Sequence, residues 1–261
     1  MEVDILKEDD KSVKFVLDDA TPQFANALRR TMIGKVPTMA IDEVYFRNNT
    51  SGLFDEIIAH RIGLVPWRFP VDEYRLPEKC DCEGDECPNC QVEIVLKKEG
   101  ESFVKAKNMK ATDKKVAPEN PEVLLVKLLE DQEIDLEAKA VLGIGKDHAK
   151  FQAANASYKY YPVVKINGKE VEDSETAARV APEKVKKAEG VVEADEQVVY
   201  AMKNTVDISE GDEVELERSN DKFIFTVETV SGLEPKQIVK KAVEILEEEI
   251  DEFETSLKKS L

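Results

Sequence analysis

The chain has 261 residues, with 37 Lys and Arg against 55 Asp and Glu, a formal net charge of −18, four Cys and two His. At 42% hydrophobic and 35% charged it reads as globular, as one large domain or two modest ones, and not as a disordered chain. The acidic balance disfavours a main nucleic-acid-gripping surface, which needs Lys and Arg to neutralise phosphates. The absence of any apolar run near the roughly 18 residues of a membrane span, and of a signal peptide at Met1-Glu-Val-Asp-Ile-Leu-Lys7, leads us to expect a cytoplasmic protein.

Val3 and Ile5 mark a first strand, and Lys7-Glu-Asp-Asp-Lys11 suits a hairpin turn. The next strand alternates, with Val13, Phe15 and Leu17 on one side. A helix follows. Thr21 is its N-cap and Pro22 takes the first helical position, where a missing amide costs nothing. Phe24, Ala27, Leu28, Thr31 and Met32 recur at helical spacing until Gly34 and Pro37 stop it. Alternation predicts a strand over Ala40 to Arg47. A second amphipathic helix is expected from Ser51 to Ile62, with Phe54, Ile57, Ile58 and Ile62 on its stripe and Gly63 and Pro66 at its end. Beyond a cysteine-bearing loop, strands are expected over Val92 to Lys97, Glu122 to Leu129 and Leu136 to Leu142, with Gly143 and Gly145 ending the run.

Residues Val163 to Val206 differ in character. They hold a type I′ hairpin signal at Asn167-Gly168 and a short charged helix candidate around Pro182 to Ala188. Val214 and Leu216 then predict one arm of a hairpin and Phe223, Phe225 and Val227 the other, joined by Ser219-Asn-Asp221. Pro235 opens a long helix of about 23 residues, or about 35 Å. Along it Val239, Ala242, Leu246, Ile250, Phe253 and Leu257 follow three- and four-residue steps like an a/d seam, opposite Glu247, Glu248, Asp251 and Glu252. Part of this stripe covers the chain's own sheet. The distal half, Leu246 to Leu257, extends beyond what a small α+β domain needs, and reads at least as readily as a protein–protein seam.

All four cysteines fall in one window, Cys80-Asp-Cys82-Glu-Gly-Asp-Glu-Cys87-Pro-Asn-Cys90. The loop is polar and acidic, so the thiols have no apolar surroundings to pack into. Cys87 and Cys90 have the two-residue spacing that lets two thiolates reach one metal, and Gly84 gives the loop room to turn back. Four thiolates favour a closed, structural Zn²⁺ site. Disulfides or unoccupied thiols rank second, since no export signal is visible. An iron–sulfur cluster ranks third. Nothing else builds an active site. No Ser or Cys nucleophile is visibly paired with His60 or His148, Gly143-Ile-Gly145-Lys146 lacks the spacing of a phosphate loop, and the acidic runs read as solvated faces.

Several motifs carry a family resemblance. Asn26-Ala-Leu-Arg-Arg30, Val36-Pro37 and Ala40-Ile-Asp-Glu-Val44 resemble the start of the α-type assembly subunits of RNA polymerase. Phe54-Asp-Glu-Ile-Ile-Ala-His-Arg-Ile-Gly-Leu-Val-Pro-Trp67, with the cysteine loop after it, resembles the archaeal and eukaryotic branch. Gly143-Ile-Gly145, His148-Ala-Lys150-Phe151, Phe223-Ile-Phe225 and Gly232-Leu-Glu-Pro235 extend the likeness over nearly the whole chain, which is most similar to archaeal members.

The resemblance implies an α+β fold in three parts. Residues 1–44 plus 207–261 would form a split dimerisation domain with the long C-terminal helix. Residues 45–162 would form an inserted, mostly β domain carrying the cysteine loop 80–90. Residues 163–206 would form a small ferredoxin-like insert. It further implies a non-catalytic subunit of a DNA-directed nucleotidyltransferase, pairing with subunit L and docking subunits N and P and the large B subunit, with little direct nucleic-acid contact. Phe24, Asn26, Leu28, Arg29, Arg30, Leu246, Ile250, Phe253 and Leu257 would lie at subunit interfaces. Many archaeal members carry iron–sulfur cysteines in the insert. Anchoring the ferredoxin spacing on Ala181-Pro182 places Val171, Ser174, Ala177 and Ala181 at the ligand positions. None can ligate iron, so the insert is expected to be clusterless. The alternatives are a zinc-binding adaptor outside polymerase, or a redox protein using the thiols; neither calls for the Asn26–Arg30 motif.

Overall fold

The structure, a computed structural model, describes residues 1–82, 87–166, 169–170 and 214–260. In chain order its strands are β1 (Glu2–Glu8), β2 (Ser12–Asp18), β3 (Thr38–Asn49), β4 (Trp67–Arg68), β5 (Gln91–Glu99), β6 (Ser102–Lys105), β7 (Lys110–Ala111), β8 (Ala117–Pro118), β9 (Leu124–Leu128), β10 (Glu133–Gly143), β11 (Ala154–Ile166), β12 (Lys169–Glu170) and β13 (Val214–Thr229). The helices are α1 (Pro22–Gly34), α2 (Asp55–Gly63) and α3 (Pro235–Ser260). The fold is mixed α and β, as expected. The chain divides into two compact units. Met1–Glu8, Lys14–Asn26 and Ser157–Thr226 form one; Asp9–Val13, Ala27–Ala156 and Val227–Leu261 form the other.

One sheet has the strand order β1-β2-β13-β11-β12. Aromatic packing dominates the first unit: Phe15 stacks on Phe225 with ring centroids 5.0 Å apart, and Tyr158 meets Phe223 edge-on at 5.4 Å. Thr21 caps α1 as expected, its hydroxyl accepting from the Phe24 amide at 3.2 Å. At the sheet's end β11 and β12 pair antiparallel, with Ile166 opposite Lys169. Asn167 and Gly168 themselves lie outside the described residues, as do the helix candidate at Pro182 to Ala188 and the ligand positions Val171, Ser174, Ala177 and Ala181.

The expected hairpin at Ser219-Asn-Asp221 is corrected. Val214 to Thr229 is one continuous strand. A tight hairpin of the primed type needs a left-handed residue, and Asp19 is the one non-glycine residue with positive φ among the described residues. The Asp221 carbonyl instead accepts the Ala20 amide at 2.9 Å.

In the second unit a four-stranded sheet runs β3-β10-β5-β7. β10 is its centre, antiparallel to both β3 and β5. Its alternating Ile134, Leu136, Ala138, Ala140 and Leu142 are all buried, as period-two patterning requires. α2 is shorter than expected and begins at Asp55. Its stripe is narrower too. Ile58 and Ile62 are buried one turn apart, whereas Phe54, the extended N-cap residue before the first helical turn, is 80% and Ile57 47% exposed. Gly145 after β10 and Gly232 after β13 answer to close packing. A Cβ on Gly145 would lie 2.3 Å from the Ile33 carbonyl oxygen, and one on Gly232 would lie 2.0 Å from that of Trp67. α3 begins in the core, where Pro235, Ile238 and Ala242 are buried.

Candidate metal centre and docking helix

The cysteine loop is placed by short-range structure at both ends. A single helical turn, Pro77–Lys79, delivers Cys80. At the other end the Cys90 and Gln91 amides both donate to the Cys87 carbonyl, at 3.0 and 3.2 Å, closing a tight turn just before β5. Gly84 lies outside the described residues. The four sulfurs all lie within 4.8 Å of one another. Individual Sγ separations are 3.5 Å for Cys80–Cys87, 3.7 Å for Cys82–Cys90 and 3.9 Å for Cys87–Cys90.

These distances discriminate between the expected chemistries. A disulfide brings sulfurs to about 2.05 Å, so the cysteines are free thiols here. A tetrahedron with metal–sulfur bonds of about 2.3 Å has edges of about 3.8 Å, and the three separations bracket that value. An iron–sulfur cluster spreads its thiolates over several irons and holds them further apart. The set therefore fits one tetrahedral ion. Cys80, Cys82, Cys87 and Cys90 would hold it, and the ion would supply a structural cross-link with no open position. Burial, then hydrogen bonding to Cys82, Cys87 and Cys80, pushes the Cys90 thiol up to about 12. A cation that takes up the thiolates relieves this penalty by displacing their protons.

The second feature is α3. At 26 residues it is about 39 Å long. Its outer half is uncovered: Ile250 is 66%, Phe253 69% and Leu257 45% exposed, with Leu246 half-buried. On α1, Phe24, Asn26 and Arg29 are half-buried and Arg30 is exposed. Leu28 is 3% exposed, so in this chain it is a core residue. Lys35, the residue after α1, donates its ammonium to the Glu249 carboxylate on α3. His148 plays a structural part. Its Nδ1 accepts the Lys150 amide at 3.0 Å and caps the turn at Ala149–Phe151.

Sequence reading missed Lys35, and also Glu73, Tyr74, Arg75 and Asp113 around the cysteine loop. Lys35, Glu73, Tyr74 and Asp113 have side-chain partners distant in sequence. Arg75, whose partner Asp81 is six residues on, was the one available hint, placed just ahead of the first cysteine.

A four-thiol loop and an uncovered apolar helix face suit a protein that docks onto other chains. Comparison with known proteins gives the family. Residues 14–250 match the RNA polymerase Rpb3/Rpb11 dimerisation domain. The chain belongs to that family. It is similar to DNA-directed RNA polymerase subunit Rpo3 of Pyrococcus furiosus, with 39% identity covering 99% of this chain and 98% of that protein. The subunit of the same name from Methanosphaera stadtmanae is 35% identical over 96% of each chain. That of Archaeoglobus fulgidus is 32% identical over 97% of this chain and 96% of its own.

Proposed function

We propose that the chain is a non-catalytic assembly subunit of an archaeal DNA-dependent RNA polymerase. It pairs with the small subunit L through the outer half of α3 and the exposed part of α1. The resulting platform carries subunits N and P and the large B subunit, with Arg29 and Arg30 directed to the large subunit or to the dimer core. In this reading residues 1–44 and 207–261 make the dimerisation domain, 45–162 the inserted β-rich domain and 163–206 a clusterless insert. Zinc on the four cysteines ties the loop of the inserted domain. The nucleotidyl transfer belongs to the assembled enzyme, in the cytoplasm. Among the described residues no helix is long and apolar enough to cross a membrane.

The observation that carries this reading is the exposed seam of Ile250, Phe253 and Leu257 in a chain whose relatives are named polymerase subunits. Apolar side chains exposed at helical spacing suit a second helix laid along them. The acidic balance suits a subunit away from the nucleic-acid channel. Truncation after Glu244 tests it. The truncated chain keeps the buried Ile238 and Ala242, so it is expected to fold and to lose subunit L in co-purification. A folded, truncated chain that still retains L would refute the pairing.

A further inference from the structure

The chain just ahead of the cysteine loop makes an arrangement that the four thiols alone do not require. Arg75 reaches both halves of the loop. Its amide donates to the Asn89 carbonyl at 2.9 Å, between Cys87 and Cys90. Its guanidinium pairs with the carboxylate of Asp81, between Cys80 and Cys82. One residue thus ties the two cysteine pairs together from outside the cluster.

The residues before it are fastened in turn. The buried Tyr74 donates its hydroxyl to the Asp113 carboxylate at 2.6 Å. Lys115 donates to both oxygens of Glu73, at 2.6 and 2.7 Å, and its amide donates to Asp113 at 2.8 Å. The same segment holds the exit of the loop. β7 pairs with β5, with Ile94 opposite Ala111, and the Thr112 amide donates to the Glu93 carbonyl at 2.9 Å. Entry and exit of the loop therefore hang from one stretch, residues 110–115.

Resting on the reading that the loop binds zinc, we infer that Glu73-Tyr74-Arg75 is a brace that sets how tightly the metal is held, without any of its side chains ligating the ion. Four thiolates must converge on one point, and any freedom between the Cys80–Cys82 and Cys87–Cys90 arms is paid as lost affinity. Charge acts in the same direction. A divalent ion with four thiolates keeps two negative charges, and the loop adds Asp81, Glu83, Asp85 and Glu86 against Lys79 alone. The Arg75 guanidinium offsets one of these charges, that of Asp81. The Arg75–Asp81 pair is exposed, so as a surface ion pair it contributes little to global stability. Its effect belongs to the metal, where outer-shell changes cost about 10–100-fold in affinity.

The test uses the full chain loaded with Zn²⁺ and, separately, with Co²⁺, whose visible absorption reports a tetrahedral thiolate set. Zinc transfer to a chelator and the chelator concentration that removes the cobalt bands are measured for Arg75→Ala, Arg75→Lys, Tyr74→Phe and the remote control Lys97→Ala. Arg75→Ala and Tyr74→Phe are expected to release metal about tenfold more readily, with the metal-free melting temperature of Arg75→Ala unchanged. Arg75→Lys is expected to recover part of the loss, and Lys97→Ala to match the parent. A parent that binds metal, with Arg75→Ala holding it equally tightly, overturns the brace alone. A parent that takes up neither ion overturns the metal reading and the brace with it. If Tyr74→Phe fails to fold, the exposed Arg75 still decides the matter.

Discussion

Replacing Ile250 and Phe253 together by alanine tests the docking helix at its most exposed point. Both side chains already face solvent in this chain, at 66% and 69% exposure. Alanine is the best helix former, so folding stability should stay within about 0.5 kcal/mol of the parent, as for surface substitutions generally. Binding should not. Full burial of an Ile or Phe side chain contributes about 1.5–3 kcal/mol. Scaled by the area still open to a partner, and leaving out the methyl that alanine keeps, the pair is worth about 2–3 kcal/mol. That is about a 30- to 150-fold weaker dissociation constant. Calorimetric titration of the chain with purified subunit L reads it directly. Glu248→Ala, on the opposite face, serves as control and should change affinity less than about threefold. If the double alanine variant binds L as tightly as the parent, the seam is not the interface and the reasoning from exposure fails.

Gly232→Ala should destabilise the fold, because its Cβ would lie 2.0 Å from the Trp67 carbonyl oxygen and 2.5 Å from the Arg68 nitrogen. Backbone cannot rotate away as a side chain can, so a loss of about 1–3 kcal/mol or more is expected in denaturant unfolding; an unchanged midpoint would contradict the packing. Arg30→Glu should weaken recruitment of the large subunit in reconstitution, since Arg30 is exposed; unchanged assembly would remove Arg30 from that role. The Lys222 ammonium bonded to Asp18 holds its carboxyl below the usual range. A depressed folded-state value adds stability above the unfolded value near pH 4, and this is lost as pH falls through the folded one. Asp18→Asn should therefore flatten the stability profile below about pH 4, and a variant with the parent's profile would show that the pair carries no linkage.

Much of this architecture is written locally. The Thr21 cap, the alternation of β10 and the crowding of four cysteines into eleven positions are short-range signals, and the structure keeps them. Features that depend on distant partners were less legible. Ser219-Asn-Asp221 has turn-forming residues, yet the sheet holds it extended as a neighbour of β2 and β11. Phe54 and Ile57 have the spacing of a buried stripe, but the helix starts only at Asp55, with Phe54 an extended N-cap, and buries Ile58 and Ile62. Leu28 and Leu257 look alike in periodicity. One is buried and the other is 45% exposed, because apolar spacing marks a face without saying what covers it. The Tyr74–Asp113 bond that anchors the brace joins residues about 40 positions apart, and no local pattern marks it.

The most direct measurement is site-specific photo-crosslinking in assembled polymerase, with a photoreactive benzoylphenylalanine placed at Phe253. The side chain is 69% exposed in the isolated chain, so the replacement is tolerated and its neighbour in the assembly reports the partner. The account predicts one dominant adduct, with subunit L. Adducts with solvent alone, or with a different subunit, would contradict it.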